Sequence, residues 1–231
     1  MTAWRAIGFD LDDTLYPERA FVVSGFEAVA DWIQAEVGLP AAATARELTD
    51  LFAGGIRGDT FDRFLRAHDL PVGSYRERMV EVYRRHSPRL TPYPDVIPAL
   101  TRLRGRYRLG LATEGPAKIQ HGKLNALGLR GFFQAVVVLG EGDRARWKPE
   151  AWPLERLAEG LAVAPGEMVY VGDNPGKDFL AARRAGMTGL RIRRPDGLHV
   201  SEEPATPEDA PEGEVTDLPG LEAWLAERGA A

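Results

Sequence analysis

The sequence predicts an α/β protein, a Rossmann-like parallel sheet with an all-helical domain set into it. Three observations carry that prediction. Short continuous apolar runs, Ala6–Phe9, Leu109–Ala112, Ala135–Leu139, Met168–Val171 and Gly189–Ile192, are bounded by turn residues and separated by helix-patterned stretches, the pattern of strands buried on both faces. The βα alternation is regular from about residue 95 onward. Between Pro17 and about Thr91 it is absent, and the chain reads as consecutive helices.

In chain order, the first strand ends at Asp10 and the inserted helices follow. Val22, Phe26, Val29, Ile33 and Val37 recur at helical spacing, as do Leu48, Leu51 and Phe52, and then Phe61, Phe64 and Leu65. Ser74-Tyr75-Arg76-Glu77 has the form of a capping box and is expected to open a fourth helix carrying Met79, Val80 and Tyr83. The aromatics Phe61, Phe64, Tyr75 and Tyr83 are assigned to the core of this insert.

In the α/β part, helices are expected at Asp95–Leu103, Pro116–Leu127, Pro149–Leu161 and Asp178–Ala185. Pro116 and Pro149 stand where a first-turn proline is tolerated, and Gly128 and Gly186 where helices stop. Pro195–Glu214, rich in Pro, Asp and Glu, reads as a solvated loop. Leu218, Leu221, Trp224 and Leu225 read as a short helix packing back. The expected division is a core of 1–16 and 92–231 and a helical domain of 17–91.

At 231 residues, with 44% hydrophobic and 27% charged residues, the chain has room for two modest domains with proper cores. A net charge of −5 argues against a general affinity for nucleic acid or an anionic membrane. The absence of cysteine excludes disulfides and thiol nucleophiles, and four scattered histidines offer no His-based metal motif. The first residues lead into no signal-like apolar run, and no run approaches transmembrane length. A cytoplasmic monomer or homodimer is expected. Only Lys118, Lys123, Lys148 and Lys177 among the 29 basic residues are lysine, a bias read as genomic composition.

Four segments carry the chemistry: Phe9-Asp10-Leu11-Asp12-Asp13-Thr14-Leu15, Thr113, Lys148-Pro149, and Gly172-Asp173-Asn174-Pro175-Gly176-Lys177-Asp178. Each falls at the end of an expected strand or in the loop beyond it, where open α/β sheets place their sites. Paired acids suit a divalent oxygen-bound cation and attack by a carboxylate, and Lys and Thr suit an anionic substrate group. Gly172–Asp178 departs from a P-loop, because Gly176-Lys177 comes one residue early and Asp178 replaces Ser or Thr.

In this order the four segments resemble the motifs of the haloacid dehalogenase superfamily, in its phosphatase-like members with a helical cap inserted after the first motif. The resemblance implies a Mg2+-dependent phosphatase acting on a small phosphorylated metabolite. Asp10 is then the nucleophile that forms an aspartyl-phosphate, and Asp12 the general acid and base. Mg2+ is held by Asp10, the backbone carbonyl of Asp12 and Asp173, with Asp178 a direct or an indirect ligand. Thr113 and Lys148 bind the nonbridging phosphate oxygens, and Glu114 and Gly115 are also assigned to substrate binding, Glu114 through its backbone N–H or by contacting a cationic or hydroxyl-rich leaving group.

Glu114 stands where many members carry Asn, and an anion there repels phosphate unless it points away. Arg57, alone among the glycines of an insert loop, is a candidate to reach the substrate. A phosphomutase keeps the same core residues. A 2-haloacid dehalogenase needs neither the second acid of the first motif nor metal, so Asp12, Asp173 and Asp178 argue against it. A noncatalytic binding module remains the alternative of a different class.

Overall fold

The computed structural model describes residues 4–56 and 58–229. Six strands form one parallel sheet: β1 (Ala6–Phe9), β2 (Arg108–Glu114), β3 (Ala135–Leu139), β4 (Met168–Gly172), β5 (Thr188–Ile192) and β6 (Gly213–Val215), in the order β3-β2-β1-β4-β5-β6. Strand β1 lies between β2 and β4, with Phe9 in register with Leu111 on one side and Val171 on the other. The strand order reverses there, which opens a crevice beyond the carboxyl ends of these strands.

The five expected strands are present, and the sixth corrects the reading of Pro195–Glu214 as loop throughout. Gly213–Val215 pairs with Leu190–Ile192 at the sheet edge. Three residues around a glutamate give too short and too polar a pattern to stand out from acidic surroundings.

Helices α5 (Val96–Leu103), α6 (Ala117–Ala126), α7 (Trp152–Leu161), α8 (Asp178–Arg184) and α9 (Leu218–Gly229) complete this part. Gly128 and Gly186, at φ 68° and 76°, follow α6 and α8 as helix-stopping glycines do. Pro149 is not a first-turn residue: it follows Lys148 through a cis peptide bond, and α7 starts at Trp152 with Pro153 in its first turn. Helix α7 packs tightly on the sheet, since a Cβ at Gly8 or Gly110 would come within 2.8 Å or 2.7 Å of Leu157.

The chain divides into two compact units, Met1–Glu18 with Leu90–Ala231, and Arg19–Arg89. The second is built from α1 (Glu18–Val37), α2 (Ala41–Ala53), α3 (Thr60–Ala67) and α4 (Val72–Arg85). Its core gathers Phe26 against the rings of Phe52, Phe61 and Tyr83, with Phe64 and Met79 buried. Helix α4 begins two residues before Ser74, with Pro71 in the capping position. Ser74 and Glu77 therefore lie inside the helix, and the expected capping box does not form. Proline's fixed φ sets the helix entry without a side-chain cap.

Candidate active site

Asp10 follows directly on β1, Thr113 is the next-to-last residue of β2, and Asp173 follows directly on β4, so the central crevice collects all three. The Asp10 amide donates to the Val171 carbonyl at 2.8 Å, which ties the first acidic loop to the neighbouring strand. A Cβ on Gly172 would overlap the Asp178 carboxylate, so only glycine lets the fourth segment turn back on itself here.

Behind Asp10 lies a fully buried cation. Lys148 Nζ donates to Asp10 Oδ1 at 2.7 Å, Asp178 Oδ1 at 2.7 Å and the Tyr170 hydroxyl at 3.0 Å. An ammonium has three N–H bonds and these three acceptors take them all. In this arrangement Lys148 positions Asp10 from within, rather than offering a free N–H to phosphate. Burial opposes its charge, yet Asp10 and Asp178 hold its pKa well above the ordinary lysine range. For Asp10 the balance runs the other way: burial pushes its carboxyl up to about 6 against the pull of Lys148, and Asp178 adds to the rise.

Asp12 has different company. Its Oδ1 accepts from Lys123 Nζ at 2.6 Å and from the Tyr16 hydroxyl, and its Oδ2 accepts from Gln120 Nε2 at 3.2 Å. Burial raises its pKa, but the Lys123 charge and the hydrogen bonds from Lys123, Tyr16 and Gln120 outweigh it and leave Asp12 below the usual carboxylate range. Gln120 also donates to Thr113 Oγ1, joining the second motif to the second acid. Asp13 takes a left-handed conformation, φ 48°, and its carboxylate accepts from the amides of Glu18 at 2.8 Å and Leu198 at 2.7 Å.

Asp178 is wholly enclosed: Oδ1 meets Lys148, and Oδ2 accepts from the Asn174 amide at 2.9 Å. Asp173 has no hydrogen bond to its carboxylate among the described residues. Burial, followed by the carboxylates of Asp178, Asp10 and Asp13, drives its pKa far above the ordinary range. A cavity of about 120 Å³ opens over these groups, with Asp10, Asp12, Thr113 and Asp173 in its wall. Glu18, Glu114, Asn174, Lys177 and His199 complete the lining, which contains no apolar side chain.

Glu114 lines the cavity with its carboxylate already engaged. Its carboxylate accepts from the Lys148 amide and stands 3.5 Å from Lys177 Nζ, so it fixes the Lys148 loop and pairs with a cation. Gly115 does not offer its N–H to a ligand, because that group donates to the Leu139 carbonyl at 2.9 Å. Arg57 lies outside the described residues. The sequence reading missed Lys123, Gln120, Tyr16, Tyr170 and Lys177 as parts of the site. One signal was present: Lys123, Lys148 and Lys177, three of only four lysines, meet here in a chain that uses arginine everywhere else.

The fold and site together define a parallel-sheet α/β protein with an acid-lined crevice at its strand ends, in which one aspartate is backed by a buried lysine and a second stands two residues on. The family model described as haloacid dehalogenase-like hydrolase matches residues 7–192, and the chain belongs to that family. It is 36% identical over 219 residues to a glyceraldehyde 3-phosphate phosphatase of Methanopyrus kandleri, covering 91% of this chain and 92% of that one. It is also 36% identical over 162 residues to a phosphoserine phosphatase of Thermus thermophilus, covering 70% of this chain and 58% of that one. Among solved structures, a phosphatase of the same superfamily from Thermococcus onnurineus superposes with a TM-score of 0.62 at 29% identity, covering 96% of this chain and 97% of that one.

Proposed function

We propose that this protein is a Mg2+-dependent phosphatase of small phosphorylated metabolites, working through a phosphoryl group carried on Asp10. The observation that carries the reading is the division between the two acids: Asp10 on Lys148 and Asp12 on Lys123, two residues apart, in differently tuned surroundings. Phosphatase relatives that span most of the chain support the same activity.

In the first step an Asp10 oxygen attacks phosphorus and the ester bond to the leaving oxygen breaks, while Asp12 supplies the proton that the leaving alkoxide takes up. In the second, Asp12 removes a proton from water, whose oxygen attacks the same phosphorus and releases inorganic phosphate and free Asp10. The donors around Asp12 hold it ionised, which suits the second step. The arriving phosphate dianion raises its proton affinity for the first. Thr113 and Lys177 face the cavity where the nonbridging oxygens would sit.

The residues fit a magnesium ion. Mg2+ takes one or two carboxylates and completes its shell with water and phosphate oxygens. Asp173, without a hydrogen-bond partner among the described residues and pushed toward its neutral form by burial and then by surrounding acids, is the carboxylate that a divalent cation would relieve. No three acidic or histidine side chains converge into a ready cage among the described residues. Asp10, Asp173 and the Asp12 carbonyl are therefore read as the ligands, with Asp178 supporting Lys148 from outside. When bound, the ion supplies charge stabilisation at the transferring phosphoryl group.

We read 17–91 as the cap domain and 1–16 with 92–231 as the catalytic core, supported by the compactness of Arg19–Arg89. No helix among the described residues is long and apolar enough to cross a membrane. The test is phosphate release from p-nitrophenyl phosphate and small phosphomonoesters, with Mg2+, with chelator, and with Asp10→Asn. Release that needs both Mg2+ and Asp10 is expected. Release that survives Asp10→Asn refutes the mechanism, and folded protein that releases no phosphate refutes the phosphatase.

A further inference from the structure

The reaction accounts for the cavity acids except one. Asp10 and Asp12 do the chemistry, Asp173 fits the ion, and Glu114 is turned onto the Lys148 amide and Lys177. Glu18 lines the same cavity with no hydrogen bond to its carboxylate among the described residues. Its backbone is firmly placed, since it opens α1 and its amide donates to Asp13 Oδ1 at 2.8 Å. The Asp13 carboxylate in turn holds the Leu198 amide, so Glu18 is presented by the acidic loop itself. The charged groups that act on it are Asp12, Lys123, Asp13 and Lys177.

We infer that Glu18 selects the leaving group: its cavity-facing carboxylate accepts hydrogen bonds from a neutral, hydroxylated leaving alcohol and turns away substrates whose leaving group carries a carboxylate. This rests on the phosphatase reading and deepens it. The cavity is small and its wall wholly polar, so whatever is esterified to phosphate meets polar groups at short range. In its ionised form the unpartnered acid among them offers only acceptor oxygens, so substrates are compared at about pH 8 to 8.5. A hydroxyl satisfies it, whereas a second carboxylate leaves two anions facing one another in a largely desolvated site. Discrimination built on a half-buried, unpaired charge is stronger than discrimination built on shape alone.

The experiment compares kcat/KM for glyceraldehyde 3-phosphate and glycerol 1-phosphate with that for 2-phosphoglycolate and 3-phosphoglycerate, in the wild type, Glu18→Gln and Glu18→Ala. The wild type is expected to favour the hydroxylated pair by at least about tenfold. Glu18→Gln, which keeps an acceptor but loses the charge, is expected to shrink that ratio about tenfold, chiefly by a lower KM for the carboxylated pair. Glu18→Ala is expected to shrink it further by weakening the hydroxylated pair. A wild type that prefers the carboxylated pair overturns the inference without any variant. So does an equal change in all four substrates, which marks a structural role. A Mg2+ requirement moved more than about tenfold by Glu18→Gln also overturns it, because Glu18 would then be holding the ion. Wild-type turnover of p-nitrophenyl phosphate separates these outcomes from failure of the phosphatase reading.

Discussion

The two flanks of the crevice place an aspartate beside a lysine and obtain opposite results. On the Asp10 flank, Lys148 is fully buried and shared among Asp10, Asp178 and Tyr170, and Asp10 still ends above the ordinary carboxylate range. On the Asp12 flank, Lys123 joins two neutral donors, and Asp12 ends below it. The shared cation serves its two acids unequally. Asp178, which also feels Lys177 and accepts from the Asn174 amide, ends below the ordinary range, while Asp10, buried and repelled by Asp178 and Asp12, ends above it. Asp12 has a cation and two neutral donors on one carboxylate. In the metal-free protein the higher proton affinity falls on Asp10, the attacking group, and the lower on Asp12, the proton carrier. A cation held by Asp10 would therefore be needed to ionise it, and the bound phosphate dianion to raise Asp12, before the first step.

Removing the shared cation breaks the comparison most severely. Lys148→Met leaves Asp10 and Asp178 buried without their common partner, and loss of one member of a buried pair costs about 3–5 kcal/mol. We expect an unfolding free energy, from denaturant titration, lowered by that amount and phosphate release below about one thousandth of wild type, by analogy with loss of a group that acts with the nucleophile. Lys148→Met with Asp178→Asn removes one of the stranded charges and should recover part of the stability and none of the activity. Equal stability of the single and double variants would show that the pair is not the organising contact described here.

Lys123→Met tests the other flank and is expected to be milder, because the Asp12 side chain is 20% exposed and keeps the Tyr16 and Gln120 donors. A destabilisation of about 1–2 kcal/mol is expected for this partly buried ion pair. The kinetic effect is directional. Without the Lys123 charge the Asp12 pKa rises, so the alkaline limb of the kcat/KM profile, set by the acid that must be protonated in the first step, moves to higher pH. A limb that stays in place, or moves down, would remove Asp12 from the proton-transfer role.

How much of this could be read in the sequence follows from what each feature depends on. The four motifs and the strands that deliver them were legible, because a buried parallel strand ending in an acid is a local pattern. The edge strand Gly213–Val215 was not, since its pairing with β5 is a tertiary fact with no run of apolar residues behind it. Lys123 and Gln120 lie on α6 at the spacing of adjacent turns, but nothing local says that this face meets Asp12 across more than a hundred residues. Tyr170 was hidden inside an apolar run, where its hydroxyl was the sole hint that a polar partner waits behind β4. Lysine usage was the signal set aside too quickly: a compact ammonium fits between buried carboxylates where a planar guanidinium fork does not.

The smallest expected effect sharpens the contrast by titration. Asp10, raised to about 6, and Asp173, raised by burial and its acidic neighbours, bind protons more tightly in the folded metal-free protein than in the unfolded chain. Glu18, pushed up to about 7, adds to them. Between about pH 4 and pH 7 the folded state therefore holds more protons, and stability falls as pH rises through that window. Asp12 and Asp178, both lowered, act with the opposite sign and only below about pH 4, where their protonation removes stability. In the helical unit His86, lowered by burial, also acts oppositely, favouring the fold as pH rises toward its unfolded value near 6.5. In chelator, thermal unfolding of the α/β unit at pH 5.5 should thus exceed that at pH 7.5 by about 1–3 kcal/mol. Saturating Mg2+ should abolish or reverse the difference, because the cation favours the ionised carboxylates that the empty acid cluster penalises. A metal-free midpoint that rises steadily from pH 5.5 to 7.5 would mean that the acids of the Asp10 flank are not the destabilised groups, and the proposed contrast between the flanks would fail.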